Sequence, residues 1–344
     1  MKNRILLASF FLCSLISFAQ NTDNSSIKIL TQKKGVSLRG LSVPSQSIIW
    51  ASGNKGSIAK SINAGVAFEW WQVTGYENRD FRSIHAWDDQ EAIIVAVASP
   101  ALILKTKDGG KTWYKVYENP DSLMFLDAIH FKDAYHGLVV GDPVGNSIFL
   151  LSTEDRGEHW NEISSNYFST PLVPGESFFA SSNSNITQLS KLTPPQSFLV
   201  SGGLKSRLWI NGEAMDIPMV QGGKSKGANS IALSPLEDKL MIVGGDFTVD
   251  TSRWMNAVGL QLNQHHWMID NSIGLPHGYR SSVTYVTNDL IICSGTSGVD
   301  ISENGGKHWK LISNESFHVV RKQPNTKSVF LAGAGGRIGY YSLP

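Results

Sequence analysis

Thr106-Lys107-Asp108-Gly109-Gly110-Lys111-Thr112-Trp113 carries the pattern that decides the fold. A hydroxyl residue is followed by an acid or its amide two positions on, a glycine four on and an aromatic seven on. The pattern returns at Thr153, Asp155, Gly157 and Trp160, at Ser302, Asn304, Gly306 and Trp309, and less fully at Ser61, Asn63, Gly65 and Phe68. Two copies are eroded. One keeps Asn211-Gly212 after Leu208-Trp209-Ile210; the other keeps Trp267, which puts its first position at Leu260. First positions at 61, 106, 153, about 208, 260 and 302 give a unit of roughly 42 to 55 residues, the range of a propeller blade.

The spacing has a physical reading. The Asp or Asn oxygen accepts backbone N–H groups inside a tight turn. The glycine takes positive φ without a Cβ clash. The aromatic opens the next strand and packs under the turn. These residues brace hairpins, so they are structural and not a binding site.

Other markers keep the same phase. Short apolar runs end in small-residue turns: Ile48-Ile49-Trp50, Ala92 to Val97, Leu138-Val139-Val140, Phe198-Leu199-Val200, Met241-Ile242-Val243, Leu290-Ile291-Ile292 and Val329-Phe330-Leu331. That makes seven units of antiparallel strands with no convincing helical periodicity. The seventh, Phe317 to Tyr341, stops early and lacks the turn pattern. The alternating stretch 26–32, Ser26 to Gln32, is expected to supply its outer strand and close the ring. The expected fold is therefore all-β, a seven-bladed β-propeller closed by an N-terminal strand. Ser164 to Gly175 and Gln221 to Gly227 read as long inter-blade connections, candidates for functional loops.

The N-terminus predicts export. Lys2 and Arg4 precede an apolar stretch from Ile5 to Phe18, with small residues Ser17 and Ala19 at the cleavage positions. Residues 1–19 are read as a signal peptide and 20–344 as one propeller domain, periplasmic or extracellular, with Asn21 to Asn24 as a leader. No later segment is apolar for long enough to span a bilayer. Of the two cysteines, Cys293 then remains alone, in a strand-like apolar run that predicts a buried, inert thiol. A net charge of +1, with acids and bases interspersed, does not point to nucleic acid. No cofactor motif or metal-ligand spacing stands out: Gly-x-Gly-x-x-Gly, Cys-x-x-Cys and His-Glu-x-x-His are missing, and the neighbours His265 and His266 would point to opposite strand faces.

The copies at Thr106, Thr153 and Ser302 resemble Asp-box (BNR) repeats. With Gly141-Asp142-Pro143, Gly244-Gly245-Asp246-Phe247 and Ser297 to Ser302, nearly the whole mature chain resembles photosystem II assembly/stability factor-like propellers, whose bacterial members often carry the labels "oxidoreductase" or "glycosyl hydrolase". In photosynthetic members the resemblance implies an assembly factor that binds a membrane-protein precursor through basic residues. Carried to this chain, it implies a non-catalytic binding propeller, an envelope assembly or scaffold factor. One scaffold hosts many activities, so the alternative is a glycoside hydrolase of the sialidase-like type. Sialidases share such repeats and resemble one another in an arginine triad, an Asp acid/base, and a Tyr nucleophile with an acidic partner. Tyr279 is the residue to consider for that role, although no Glu is placed beside it and the Phe/Tyr-Arg-Ile-Pro entry motif is missing.

Chain direction suggests where a site would lie. Arg39, Arg82 and Arg280 open the first strands of their units, with Asp127 and Asn229 in the same phase. Residues opening a first strand share a face with the second-to-third turns, which carry Asp142 and Asp246, with Arg207 just after. The candidate site is thus the central mouth, formed by Arg39, Arg82, Asp127, Asp142, Arg207, Asp246, Tyr279 and Arg280. Converging guanidiniums suit a carboxylate or phosphate, so the expected partner is a protein or glycan with an anionic group. In the other reading, each arginine pairs with Asp127, Asp142 or Asp246 and ties blades together.

Overall fold

The computed structural model describes residues 26–145, 147–189 and 195–343; the expected signal segment and the leader Asn21 to Asn24 lie outside them. The chain is a seven-bladed β-propeller. The channel is lined by the inner strands Leu38–Ser42, Phe81–Ala86, Leu126–Phe131, Ile186–Leu189, Lys226–Leu233, Ser282–Tyr285 and Val319–Lys322. Each blade runs outward through antiparallel neighbours. The first, for example, continues through Ile49–Gly53, Ser57–Ser61 and Glu69–Gln72. No helix among the described residues is long and apolar enough to cross a membrane.

Blades stack face to face, so their middle strands are covered on both sides. This is why the second strand of blade two, Ala92–Ala96, and its third, Ala101–Thr106, are apolar almost throughout and buried along their length, while the outer Tyr114–Asn119 is largely exposed. The core is a series of inter-blade layers. Phe198, Val200 and Leu208 of blade four, for instance, pack with Ile231, Leu240, Ile242 and Val258 of blade five.

The ring closes at its termini. Lys28–Thr31 pairs antiparallel with Ile338–Ser342, placing Lys28 opposite Tyr340 and Ile29 opposite Gly339. The seventh blade, built from the C-terminal strands, takes its outer strand from the N-terminus, which covers the edge of Ile338–Ser342 and joins the two ends of the chain.

The eight-residue turns join third to fourth strands. Gly110 N–H donates to Thr106 Oγ1 (3.0 Å), Thr112 N–H to Asp108 Oδ1 (2.9 Å) and Trp113 Nε1–H to Gly110 O (3.1 Å). Blade three repeats this with Thr153, Gly157 and Trp160. Gly110 sits at φ +89°, and a Cβ there would lie 2.5 Å from the Trp71 ring. In blade six Trp309 Nε1–H reaches Gly274 O instead, tying the turn to the connection that precedes the blade.

Blades four and five depart from the pattern. Blade four turns on Asn211 (φ 48°) and Gly212 (φ 84°), a two-residue hairpin suited to Asn-Gly. Blade five turns on Gln264 and His265, also at positive φ. Leu260 is therefore mid-strand and not the start of a repeat: the turn has shortened, so counting seven back from Trp267 overshoots it.

The connection from blade three to blade four runs beyond the expected Ser164 to Gly175. Its last part, Ala180 to Asn185, crosses the central channel and bonds to the inner strands around it. Arg39 Nη1 of blade one donates to Ser181 O (3.1 Å), and Asn183 Nδ2 to Ile84 O of blade two (3.0 Å). Ile129 N–H of blade three donates to Asn183 Oδ1 (2.7 Å), and the Ser184 hydroxyl meets Ser230 of blade five (2.8 Å). Ser182 bonds to Ser281 O of blade six, and Arg321 of blade seven to Ser182 O. Short polar side chains suit this task, because Ser and Asn exchange hydrogen bonds with neighbouring backbone at close range. Asn183 takes φ 55°, a left-handed conformation that Asn tolerates. The segment is a plug that separates two chambers.

Candidate binding site at the channel mouth

The upper chamber lies where the inner strands begin and holds about 430 Å³. Its position follows from a repeated backbone device. Strand pairing slips by one residue between Leu38 and Gly40, between Phe81 and Ser83, between Leu126 and Ala128, and between Ala228 and Ser230. The extra residue is Arg39, Arg82, Asp127 or Asn229. A bulge re-aims its side chain out of the ladder, here toward the channel.

Arg39 and Arg82 line the chamber together with Asp142, Tyr279, Lys224 and His318. Arg82 Nε is 2.8 Å from Asp80, a partly exposed pair of small energetic weight. Arg39 is half-buried, and among the described residues no carboxylate lies within ion-pair distance of it. Burial, then the neighbouring Arg82 guanidinium, lowers its pKa from the ordinary value. Burial and the same two arginines push His318 down to about 3, so it faces the chamber uncharged. Phe125, Phe179 and Phe247 supply an aromatic wall; Phe247 meets the rings of Phe179 and Tyr279 edge-on. Basic groups beside aromatic faces suit an anion attached to an apolar body.

Several expected members stand elsewhere. Arg280 is fully buried, with its Nε 2.7 Å from Asp300 and its other donors on Tyr279 O, His277 O and Ser297; it is a strut inside blade six. The mouth position of that blade belongs to Ser281, one residue later. Arg207 is buried against Glu176, with Nε to Oε1 at 3.1 Å, and lies over the Trp209 ring. Asp246 caps its own turn by accepting from Thr248 N–H (3.0 Å) and does not line the chamber. Asp127 keeps the bulge phase but is sealed from the chamber at 0% exposure, with both carboxyl oxygens lacking a hydrogen bond of ordinary geometry among the described residues. The expected alternative, in which arginines pair with Asp127, Asp142 or Asp246, does not describe these contacts: the partners are Asp80, Glu176 and Asp300.

Tyr279 is buried, its hydroxyl donates to Asn229 Oδ1 (2.9 Å), and burial pushes its pKa up to about 12. Burial also raises Asp142, while Phe178 N–H, 3.2 Å from its Oδ1, opposes the rise. Cys293 is buried with its thiol pushed up by burial, as expected of an inert core cysteine.

With this geometry in hand, likeness to known proteins is informative about architecture. No protein-family model matches the chain, and no curated protein matches it in sequence. Among solved structures it is similar to "YCF48 bound to D1 peptide", at 15% identity and a TM-score of 0.61 over 91% of this chain and 96% of that one. YCF48 from Cyanidioschyzon merolae is similar at 16% identity and a TM-score of 0.60, over 92% and 99%. The GH74 enzyme of Niastella koreensis matches at 12% identity and a TM-score of 0.59 over 91% of this chain but 53% of that one, so the chain spans about half of the enzyme. At such identities the likeness establishes the propeller fold. Its neighbours include a propeller solved with a peptide and a glycoside hydrolase, so fold alone does not choose between binder and enzyme.

Proposed function

We propose that this chain is an exported binding propeller, acting as an envelope assembly or scaffold factor, whose upper chamber takes an anionic group on a protein or glycan partner. Arg39 carries the reading: a half-buried guanidinium faces the chamber with no carboxylate in ion-pair range among the described residues. A bound carboxylate supplies the missing countercharge through a planar fork, and Phe179 and Phe247 cover the adjoining apolar group. YCF48 with its D1 peptide supports a protein over a glycan. The test is capture of partners from the native envelope by the full chain and by Arg39→Gln. Loss of the same partner at unchanged melting temperature supports the site; equal capture overturns it.

A second reading, glycoside hydrolysis, draws on Asp142, a carboxyl that lines the chamber, and on the GH74 neighbours, although Asp127 beside it is sealed from the chamber. Such chemistry needs two carboxyls that both reach the substrate. Release of reducing ends from xyloglucan, abolished in Asp142→Asn, would establish it and displace the binding role.

A further inference from the structure

The lower chamber opens at the other end of the channel, on the face of the eight-residue turns, and holds about 360 Å³. The plug divides it from the upper one: Ala180 and Ser181 line the upper chamber, Asn183 and Ser184 the lower. Basic side chains line the lower chamber at His85, His130, Arg321 and Lys322, and no Asp or Glu is among its lining residues.

Arg321 is its fixed charge. Its contacts are to Ser282 Oγ (3.3 Å) and to the carbonyl oxygens of Val320 (2.9 Å), Ser182 (2.8 Å) and Asn183 (2.7 Å). Every one is a neutral acceptor, and no carboxylate pairs with it among the described residues. Burial lowers its pKa only to about 10, so it stays a cation at neutral pH. Arg321 is half-buried, and a partly desolvated charge without a counterion carries a cost that falls when an anion arrives.

The two imidazoles line the same chamber, and His130 adds to the lowering of His85. Burial holds His85 at about 3 and His130 at about 4, so each is neutral, with one N–H to donate and one nitrogen to accept. Toward solvent the wall turns apolar, with Val43, Phe131, Leu233 and Tyr285. A basic, hydroxyl-bearing floor under an apolar neck matches an anionic head on a short hydrocarbon body.

We propose that this lower chamber is a second binding site, separate from the upper one, which takes a small aliphatic monocarboxylate, its head toward Arg321 and His130 and its tail along Phe131 and Leu233. The apolar surface of Phe131 and Leu233 decides the class: it covers a hydrocarbon tail, which an aliphatic carboxylate has and inorganic phosphate lacks. This inference stands apart from the peptide-binding reading of the upper chamber.

The test follows the imidazole resonances of the full chain by NMR during titration with butyrate, acetate and inorganic phosphate. The expected result is a saturable shift of His85 and His130 with butyrate, at least fivefold tighter than with acetate or phosphate. His130→Gln, which leaves the Arg321 pin in place, weakens butyrate at least fivefold, whereas Arg39→Gln in the upper chamber leaves it unchanged. No saturable shift with any probe overturns the site. Phosphate binding tighter than butyrate overturns the carboxylate assignment, and an effect of Arg39→Gln equal to that of His130→Gln overturns the separation of the chambers.

Discussion

Arg321 donates to the carbonyl oxygens of Ser182 and Asn183, residues that precede it by 139 and 138 positions. This contact joins the last blade to the segment that crosses the channel. Removing the guanidinium leaves these carbonyls without their donor, at roughly 1–3 kcal/mol per unsatisfied group. Arg321→Met is expected to lower unfolding free energy by about 2–4 kcal/mol by denaturant titration, because relief of the unpaired charge offsets part of the loss. It should also open the plug to proteolysis near Ser182. An unchanged denaturation midpoint would mean that the plug stays in place without its pin.

Deleting residues 26–32 tests the ring closure. The deletion removes the ladder between Lys28–Thr31 and Ile338–Ser342, and with it the packing of Ile27, Ile29 and Leu30. A loss of several kcal/mol is expected, a large share of a typical ~5–15 kcal/mol. The measurement is the denaturation midpoint of the truncated chain, and a midpoint equal to that of the intact chain would show that the other blades hold the seventh without it.

The aromatic braces of the turns are unequal, although the sequence reads them alike. Trp160 is 9% exposed and packs edge-on against Phe131, whereas Trp113 is half-buried beside Trp50. Trp160→Ala is expected to cost about 3–5 kcal/mol. Trp113→Ala should cost less, and equal losses in thermal or chemical melts would contradict this ordering.

Architecture was legible because its signal repeats: the Gly and aromatic at Gly110 and Trp113, or Gly157 and Trp160, recur in four of the blades, and the apolar strands recur in all seven. The mouth was legible only in part. Leu38-Arg39, Phe81-Arg82 and Tyr279-Arg280 look alike read forward from the large residue. Counting back from the buried residue inside the strand, Leu41, Ile84 and Val283, instead selects Arg39, Arg82 and Ser281. That second count was available and follows the bulge, which the first ignores. The plug was not legible. Ser181-Ser182-Asn183-Ser184 has the composition of any exposed loop, and its burial arises from contacts with distant blades that no local pattern encodes.

Arg39 and Arg280 should separate binding from folding. Arg280 and Asp300 form a fully buried pair, so Arg280→Gln leaves a buried carboxylate uncompensated, a change that costs about 3–5 kcal/mol. Arg39→Gln removes a half-buried charge with no ion-pair partner among the described residues and is expected to shift stability by under about 1 kcal/mol. Melts of both variants decide this: destabilisation by Arg39→Gln as large as that by Arg280→Gln would make Arg39 another strut.

Asp127 gives the fold a pH signature. Its carboxyl is fully buried, both oxygens lack a hydrogen bond of ordinary geometry among the described residues, and burial holds its pKa well above 3.8, with Asp142 adding to the rise and Arg82, then the Ala180 backbone N–H, opposing it. A carboxyl whose folded pKa exceeds its unfolded value takes up a proton on folding. Its contribution to stability is therefore fully present below the unfolded pKa, near 3.8, and is lost as pH rises toward the folded value. Asp127→Asn keeps the shape and removes the titration. The variant is expected to be more stable than the wild type at pH 7, with the gap narrowing steadily as the pH is lowered toward about 4. Denaturant titrations of both proteins across that range provide the measurement. A variant less stable than the wild type at pH 7 would show instead that Asp127 is ionised and held by Arg82, and the sign of the pH dependence would then reverse.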